Sequence, residues 1–175
     1  MMKQLLFKIF VSKFGTHLDN ALVRFTGWSL ITNLVAVQQK MAYQPSLLFQ
    51  TIGARTGEIR RCVLPYQRYG DRYFVVGSKA GAKTDPAWAI NIRRNPSCWL
   101  YIDRRRVPAR GYVAEGEERE RLWQQLMDGG AQLYAEYQEK ARPRILPIVV
   151  LEPLDGRPSG PTRIPARQPD GATER

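Results

Sequence analysis

Histidine occurs once in this chain, as His17, and cysteine twice, as Cys62 and Cys98. That scarcity excludes a zinc finger, a His-rich metal centre and a disulfide framework, so no metal is expected. It also removes Ser-His-Asp and Cys-His catalysis unless His17 is the base. His17 lies in a Gly-Thr-His-Leu stretch, where a solvated helix-start histidine is the simpler reading. Long apolar runs are also missing. A membrane-spanning helix needs about 18 uncharged apolar residues, and no such run exists. Met1 to Phe14 is apolar, but Lys3, Lys8 and Lys13 interrupt it, which also spoils a signal-peptide core. Acid is scarce beside base: Asp plus Glu is 16, Lys plus Arg is 27, and the net charge is +11. Anionic partners are therefore favoured. The location expected is cytoplasmic.

What is present is ordinary for a globular protein: 175 residues, 43% hydrophobic and 25% charged. One domain is expected. The chain divides into a helical N-terminal segment over 1–42, a folded unit over 43–153, and a Pro-, Gly- and Arg-rich tail over 154–175 that is expected to be disordered. In the first segment Gln4, Lys8 and Ser12 form a narrow polar stripe. Such a helix packs on the domain or lies at a membrane surface with its lysines toward lipid phosphates. Trp28 to Met41 reads as a second helix, poorly capped.

Strands are expected at Leu47–Ile52, Ile59–Tyr69 and Arg72–Ser78, with a hairpin at Gly70-Asp71. Thr84-Asp85-Pro86 signals a helix start with Pro at the first helical position, and Asn95-Pro96 ends that helix. Ser97–Ile102 and Val107–Val113 form a second hairpin about Asp103 to Arg106. Helices follow at Glu115 to Met127 and Gln132–Ala141, then a last strand at Ile145–Glu152. Hairpin-linked strands indicate an α+β fold, an antiparallel barrel with attached helices, and not a doubly wound sheet.

Four features carry candidate chemistry. Gly77 to Thr84 looks like a P-loop, but Ala82 separates Gly81 from Lys83, so the register fails. A small-residue loop with two lysines still lets backbone N–H groups approach an anion. Arg55-Thr56-Gly57-Glu58-Ile59-Arg60 brings two Arg forks and a hydroxyl together at a turn, either as a phosphate or carboxylate clamp or as a solvated basic hairpin. Arg104-Arg105-Arg106 with Arg110 forms a basic hairpin tip. Tyr134 and Tyr137, three apart, share a helix face. They are core residues or the border of a planar ligand.

Leu48 to Arg60 resembles the Thr-Thr-Gly-Arg-Lys-Ser/Thr-Gly-x-x-Arg motif of the deazaflavin-dependent nitroreductase family. Gly70 to Gly81 resembles that family's Gly-Asp-x-x-x-Val-x-x-Ser-Lys-Gly-Gly segment. Asp85 to Pro96 is similar to its His-Pro-x-Trp-x-x-Asn-Leu-x-x-Asn-Pro segment, and Tyr137 to Pro153 matches its end. The likeness spans roughly residues 45–153, in order. It implies a split β-barrel, FMN-binding-like, and an oxidoreductase using the 8-hydroxy-5-deazaflavin coenzyme F420. FMN is the second choice of cofactor.

Carried over by position, Arg55, Thr56 and Arg60 hold the cofactor's phosphate and acidic tail. Cys62, Val63, Ser78, Lys79, Ala80 and Gly81 line its groove, Ala87, Trp88 and Asn91 support it, and Tyr134 closes over the ring. Tyr66, Tyr134 and Tyr137 face the substrate, and the two helix tyrosines are the candidate proton donors. The departures from the family pattern are Ala54 and Arg55 for Arg-Lys, Cys62 to Pro65 for Asn-Pro-Leu-Tyr, and Ala80 for Gly.

The implied reaction is hydride transfer to a planar small-molecule acceptor: a quinone, nitroaromatic or enone. A monomer or homodimer is expected, with peripheral contact at the inner membrane face through the N-terminal helix. The rivals are a non-catalytic split-barrel binder of flavin, haem or lipid, and an RNA module at the basic hairpin. Only Trp99 and Tyr101 interleave with that hairpin's cations, so a nucleic-acid partner is not expected.

Overall fold

The computed structural model describes residues 13–38 and 43–154. The elements are α1 (Lys13–Thr26), α2 (Leu30–Gln38), β1 (Ser46–Ile52), β2 (Ile59–Pro65), β3 (Gln67–Tyr69), β4 (Arg72–Val76), α3 (Ala87–Arg94), β5 (Ser97–Ile102), β6 (Arg105–Val113), α4 (Gly116–Asp128), α5 (Leu133–Ala141) and β7 (Ile148–Pro153). A short 3₁₀ turn covers Lys79–Gly81. The seven strands form one antiparallel sheet in the order β2-β1-β5-β6-β7-β4-β3, curled into a split barrel as the sequence leads one to expect.

Both sheet faces are covered, so the inner strands are apolar almost throughout. Tyr73 and Val75 of β4 and Val149 and Leu151 of β7 join Leu47, Phe49, Leu100 and the α3 residues Trp88 and Ile92 in one core. The alternate residues Phe74, Val76, Ile148 and Val150 meet Leu122, Leu126 and Tyr134 of α4 and α5 in a second. A period of two thus supplies both cores from the same strands. α1 lies across β1, β2 and β5.

Several boundaries differ from the sequence reading, each for a local reason. The strand expected over 59–69 divides at Tyr66, whose N–H donates to Pro45 O at 3.0 Å and leaves the ladder. Pro86 precedes α3 in an extended conformation (φ −65°, ψ 146°), so it is not the first helical residue. The second hairpin turns on Asp103-Arg104 alone, both at positive φ (49° and 62°), the geometry of a two-residue hairpin, so β6 begins at Arg105. The last strand begins at Ile148, and Ile145 is exposed. His17 lies inside α1, exposed, and not at a helix start.

α2 is better capped than expected. Ser29 Oγ accepts from Thr32 N–H at 3.0 Å, and the buried Asp19 carboxylate of α1 accepts from Ser29 Oγ and Leu30 N–H at 2.8 Å each. The amphipathic stripe at Gln4 to Ser12 and the tail from residue 155 lie outside the described residues, as do residues 39–42.

Candidate functional site

Two turns are tied to α3, one at its middle and one just before its start. The first is the β1–β2 turn at Gly53 to Glu58. Gly57 N–H closes it on Gly53 O at 2.9 Å, and Gly57 sits at φ 70°, where a side chain is costly. Arg60 Nη2 donates to Thr56 Oγ1 at 3.3 Å and pairs with Glu58 at 2.7 Å. So Thr56 and Arg60 do meet, as their spacing suggests. Arg55 is exposed and has no ion-pair partner among the described residues.

Asn91 fixes this turn from α3. Its Nδ2 donates to Thr51 Oγ1 at 2.9 Å and its Oδ1 accepts from Ala54 N–H at 2.9 Å. The side chain is 6% exposed, so both halves of the amide are used where water is scarce. Trp88, one turn earlier, is buried edge-on against Phe49 at 5.7 Å. Ala87 is exposed at the helix start.

The second turn is Ser78 to Gly81. Lys79, Ala80 and Gly81 all have positive φ, at 47°, 52° and 80°. The cause is beneath the loop. Arg144, 10% exposed, donates to Gly77 O, Ser78 O and Ala82 O at 2.8 to 2.9 Å and to Asp85 Oδ1 at 2.9 Å. Three carbonyls are thereby drawn inward onto one guanidinium. The N–H groups of Ser78, Lys79 and Ala80 have no acceptor among the described residues. Successive unpaired N–H groups in such a bend make an anion-binding concavity. Lys79 Nζ, on Thr84 Oγ1 at 2.8 Å, and Lys83, on Arg142 O, add charge beside it.

α5 lies over this loop. A Cβ on Gly81 would come within 2.8 Å of Lys140 Cβ and 3.2 Å of Tyr137 O, so only glycine admits that approach. Tyr134 and Tyr137 meet edge to face at 6.3 Å. Burial pushes the Tyr134 phenol up to about 12, and burial also raises Tyr137. Both are therefore neutral hydrogen-bond donors near pH 7.

α3 is eight residues long, about 12 Å at 1.5 Å per residue. Asn91 ties its middle to the first turn. Asp85, just before it, ties its start to the second through Arg144 and also pairs with Arg93. The two turns are thus fixed to one helix.

The remaining expected site residues are placed differently. Tyr66 is 4% exposed and packs edge-on against Tyr73 at 5.4 Å, in the barrel core. Cys62 and Val63, adjacent on β2, face opposite sides of the sheet, and Cys62 packs toward the α3 side. Burial pushes the Cys62 thiol up to about 12. Sequence reasoning missed the roles of Arg144 and Asp85. They stand 59 residues apart, and neither is distinguished from its neighbours by type or spacing.

Among the described residues no group of His, Cys, Asp or Glu could hold a metal ion, and no helix is long and apolar enough to cross a membrane. Unpaired N–H groups, basic side chains, a hydroxyl and two neutral phenols suit a ligand that is both anionic and aromatic. Known proteins resemble this chain. An F420H(2)-dependent quinone reductase of Mycobacterium tuberculosis is 37% identical over 109 residues, covering 61% of this chain and 72% of its own. A second, putative quinone reductase of that organism is 30% identical over 111 residues, covering 62% and 90%.

The solved structure of an F420-H2-dependent reductase, FDR-A, superimposes with a TM-score of 0.55 at 33% identity, over 62% of this chain and 94% of that one. A structure described as a domain-swapped dimer gives 0.56 at 29% identity, over 69% and 98%. The family model for F420H(2)-dependent quinone reductases matches residues 22–153, which include both turns, α3 and the paired tyrosines. The chain is therefore an oxidoreductase that belongs to the F420H(2)-dependent quinone reductase family, whose cofactor is coenzyme F420.

Proposed function

We propose that this chain reduces quinones with F420H2, and that nitroaromatics and activated enones are accepted at the same site. The observation that carries the reading is the pair of turns tied to α3, one by Asn91 at its middle and one by Asp85 just before its start. Bound there, F420 in its reduced form supplies a hydride. Arg55, Thr56 and Arg60 hold anionic groups of the cofactor at one turn, and the Ser78 to Ala80 N–H groups with Lys79 hold them at the other. Asn91 and Arg144 keep both turns in shape.

The donor set fits the group: it offers cations and N–H groups to anions, and the net charge of +11 acts in the same direction at long range. Tyr134 and Tyr137 donate hydrogen bonds to an acceptor oxygen. Reducing a quinone to its quinol takes one hydride and one proton. With the Tyr134 phenol raised to about 12, water or the less buried Tyr137 is the better proton source.

The test is titration of the full chain with oxidised F420, FMN in parallel, followed by turnover with menadione, a nitroaromatic and an enone. Saturable F420 binding weakened at least tenfold by Arg60→Ala, with quinone turnover, supports the reading. Binding of FMN and not F420 would refute it and favour a flavin binder. We infer the oligomer to be a homodimer at most, which sedimentation equilibrium tests.

A further inference from the structure

A second ligand-sized feature lies on the other face of the sheet. The pairing register fixes the faces. Phe49 stands opposite Cys62 and Leu100, and these turn toward α3; Leu48, Gln50, Arg61, Val63 and Tyr101 turn away. α1 crosses that outer face and leaves a groove of about 820 Å³ between helix and strands. This is the size of a small-molecule site, which typically spans about 300–1,000 Å³.

The groove's unengaged charge is of one sign. Arg24, from α1, lies over the Tyr101 ring at 5.3 Å and the Phe25 ring at 5.5 Å. Arg61, from β2, has no ion-pair partner among the described residues. The nearby acids are already engaged. Asp19 caps α2 with both oxygens, and Glu58 pairs with Arg60 at 2.7 Å.

The floor holds an amide whose nitrogen keeps some solvent access. Gln50 is only 4% exposed; its Oε1 accepts from Arg106 Nε at 3.4 Å, and its Nε2 donates to no acceptor among the described residues. Around it the wall is apolar, from Leu48, Ile59 and Val63. Two cations, an amide donor and an apolar wall select a ligand with one anionic end and an apolar body.

We propose that this groove binds an amphipathic carboxylate, acyl or aryl. Its carboxylate lies between Arg24 and Arg61 within reach of the Gln50 amide, and its body lies along Leu48, Ile59 and Val63. Leu48, Gln50 and Val63 lie on the sheet face opposite the α3 core, and the groove meets the cofactor turn only at Arg60 and Cys62, which also line it.

The probe is 11-(dansylamino)undecanoate, added to the full chain. One equivalent binds with a fluorescence blue shift, and decanoate displaces it at concentrations at least tenfold below those of 1-decanol. Arg24→Gln with Arg61→Gln weakens the probe at least tenfold and leaves F420 titration unchanged. Ala21→Trp, at an exposed α1 position on the groove wall, abolishes probe binding in a protein with unchanged circular dichroism. Four results would overturn the proposal. These are no saturable probe binding, equal displacement by decanol, competition between probe and F420, or retention on phosphatidylglycerol vesicles without probe binding in solution.

Discussion

Replacing Arg144 tests the construction of the site most directly. The guanidinium is 10% exposed and makes four hydrogen bonds, three to the carbonyls of Gly77, Ser78 and Ala82 and one to Asp85. Arg144→Ala strands all four acceptors. Removing one partner of a buried ion pair costs about 3–5 kcal/mol. Asp85 keeps its pairing with Arg93 and is 18% exposed, so the lower end applies, about 3 kcal/mol.

In a chain of this size each kcal/mol moves Tm by roughly 2–4 °C, which gives a fall of roughly 6–12 °C. Urea unfolding should show a lower midpoint at unchanged slope. A purely structural role would end there. Here the three carbonyls also lose the charge that draws them inward, so the Ser78 to Ala80 N–H groups are no longer held outward. F420 affinity should fall at least tenfold at a temperature where the variant is fully folded. Arg144→Lys keeps the charge but cannot fan out to four acceptors. It should recover more stability than affinity. A variant that loses under 1 kcal/mol and binds F420 with unchanged Kd would refute the reasoning, whichever of the two substitutions is used.

Three further outcomes are expected. Ala80→Gly should stabilise the protein, because Ala80 has φ 52°. Strain of about 1–2 kcal/mol is relieved against about 0.5–1 kcal/mol of added unfolded-chain entropy, a gain that chemical denaturation can read. Asn91→Ala leaves Thr51 Oγ1 and Ala54 N–H without partners, costs about 1–3 kcal/mol, and should speed amide exchange across Gly53 to Gly57. The thiols of Cys62 and Cys98 are both pushed up to about 12 from 9.0 by burial, so iodoacetamide should leave them unmodified at pH 8 in the folded protein. Their folded values lie above the unfolded ones. The stability they contribute is therefore whole below pH 9 and lost as pH rises toward 12, which thermal melts across that window can follow.

Much of the fold is legible in the amino-acid order. Short β-rich apolar runs, Gly-Asp and Asn-Pro punctuation, and an acidic first turn before Leu122 are local signals, and local signals place strands, hairpins and helices. They also mark Arg55, Thr56 and Arg60 as one cluster, because a tight turn brings near neighbours together. Resemblance, not local physics, pointed to the deazaflavin.

Tertiary structure decided the rest, where the deciding contact is distant in sequence. Asp19 caps α2 from another helix, so no sequence window around Leu30 reveals the cap. Tyr66 joins the core because its N–H bonds Pro45 O and bends the strand. Cys62 and Val63 face opposite ways because the pleat alternates, whatever groove their neighbours line. The Ser78 to Gly81 loop turns its carbonyls inward because Arg144, more than 60 residues along the chain, takes them. A buried guanidinium must satisfy its donors where it lies, and which acceptors lie there is fixed by packing, not by spacing.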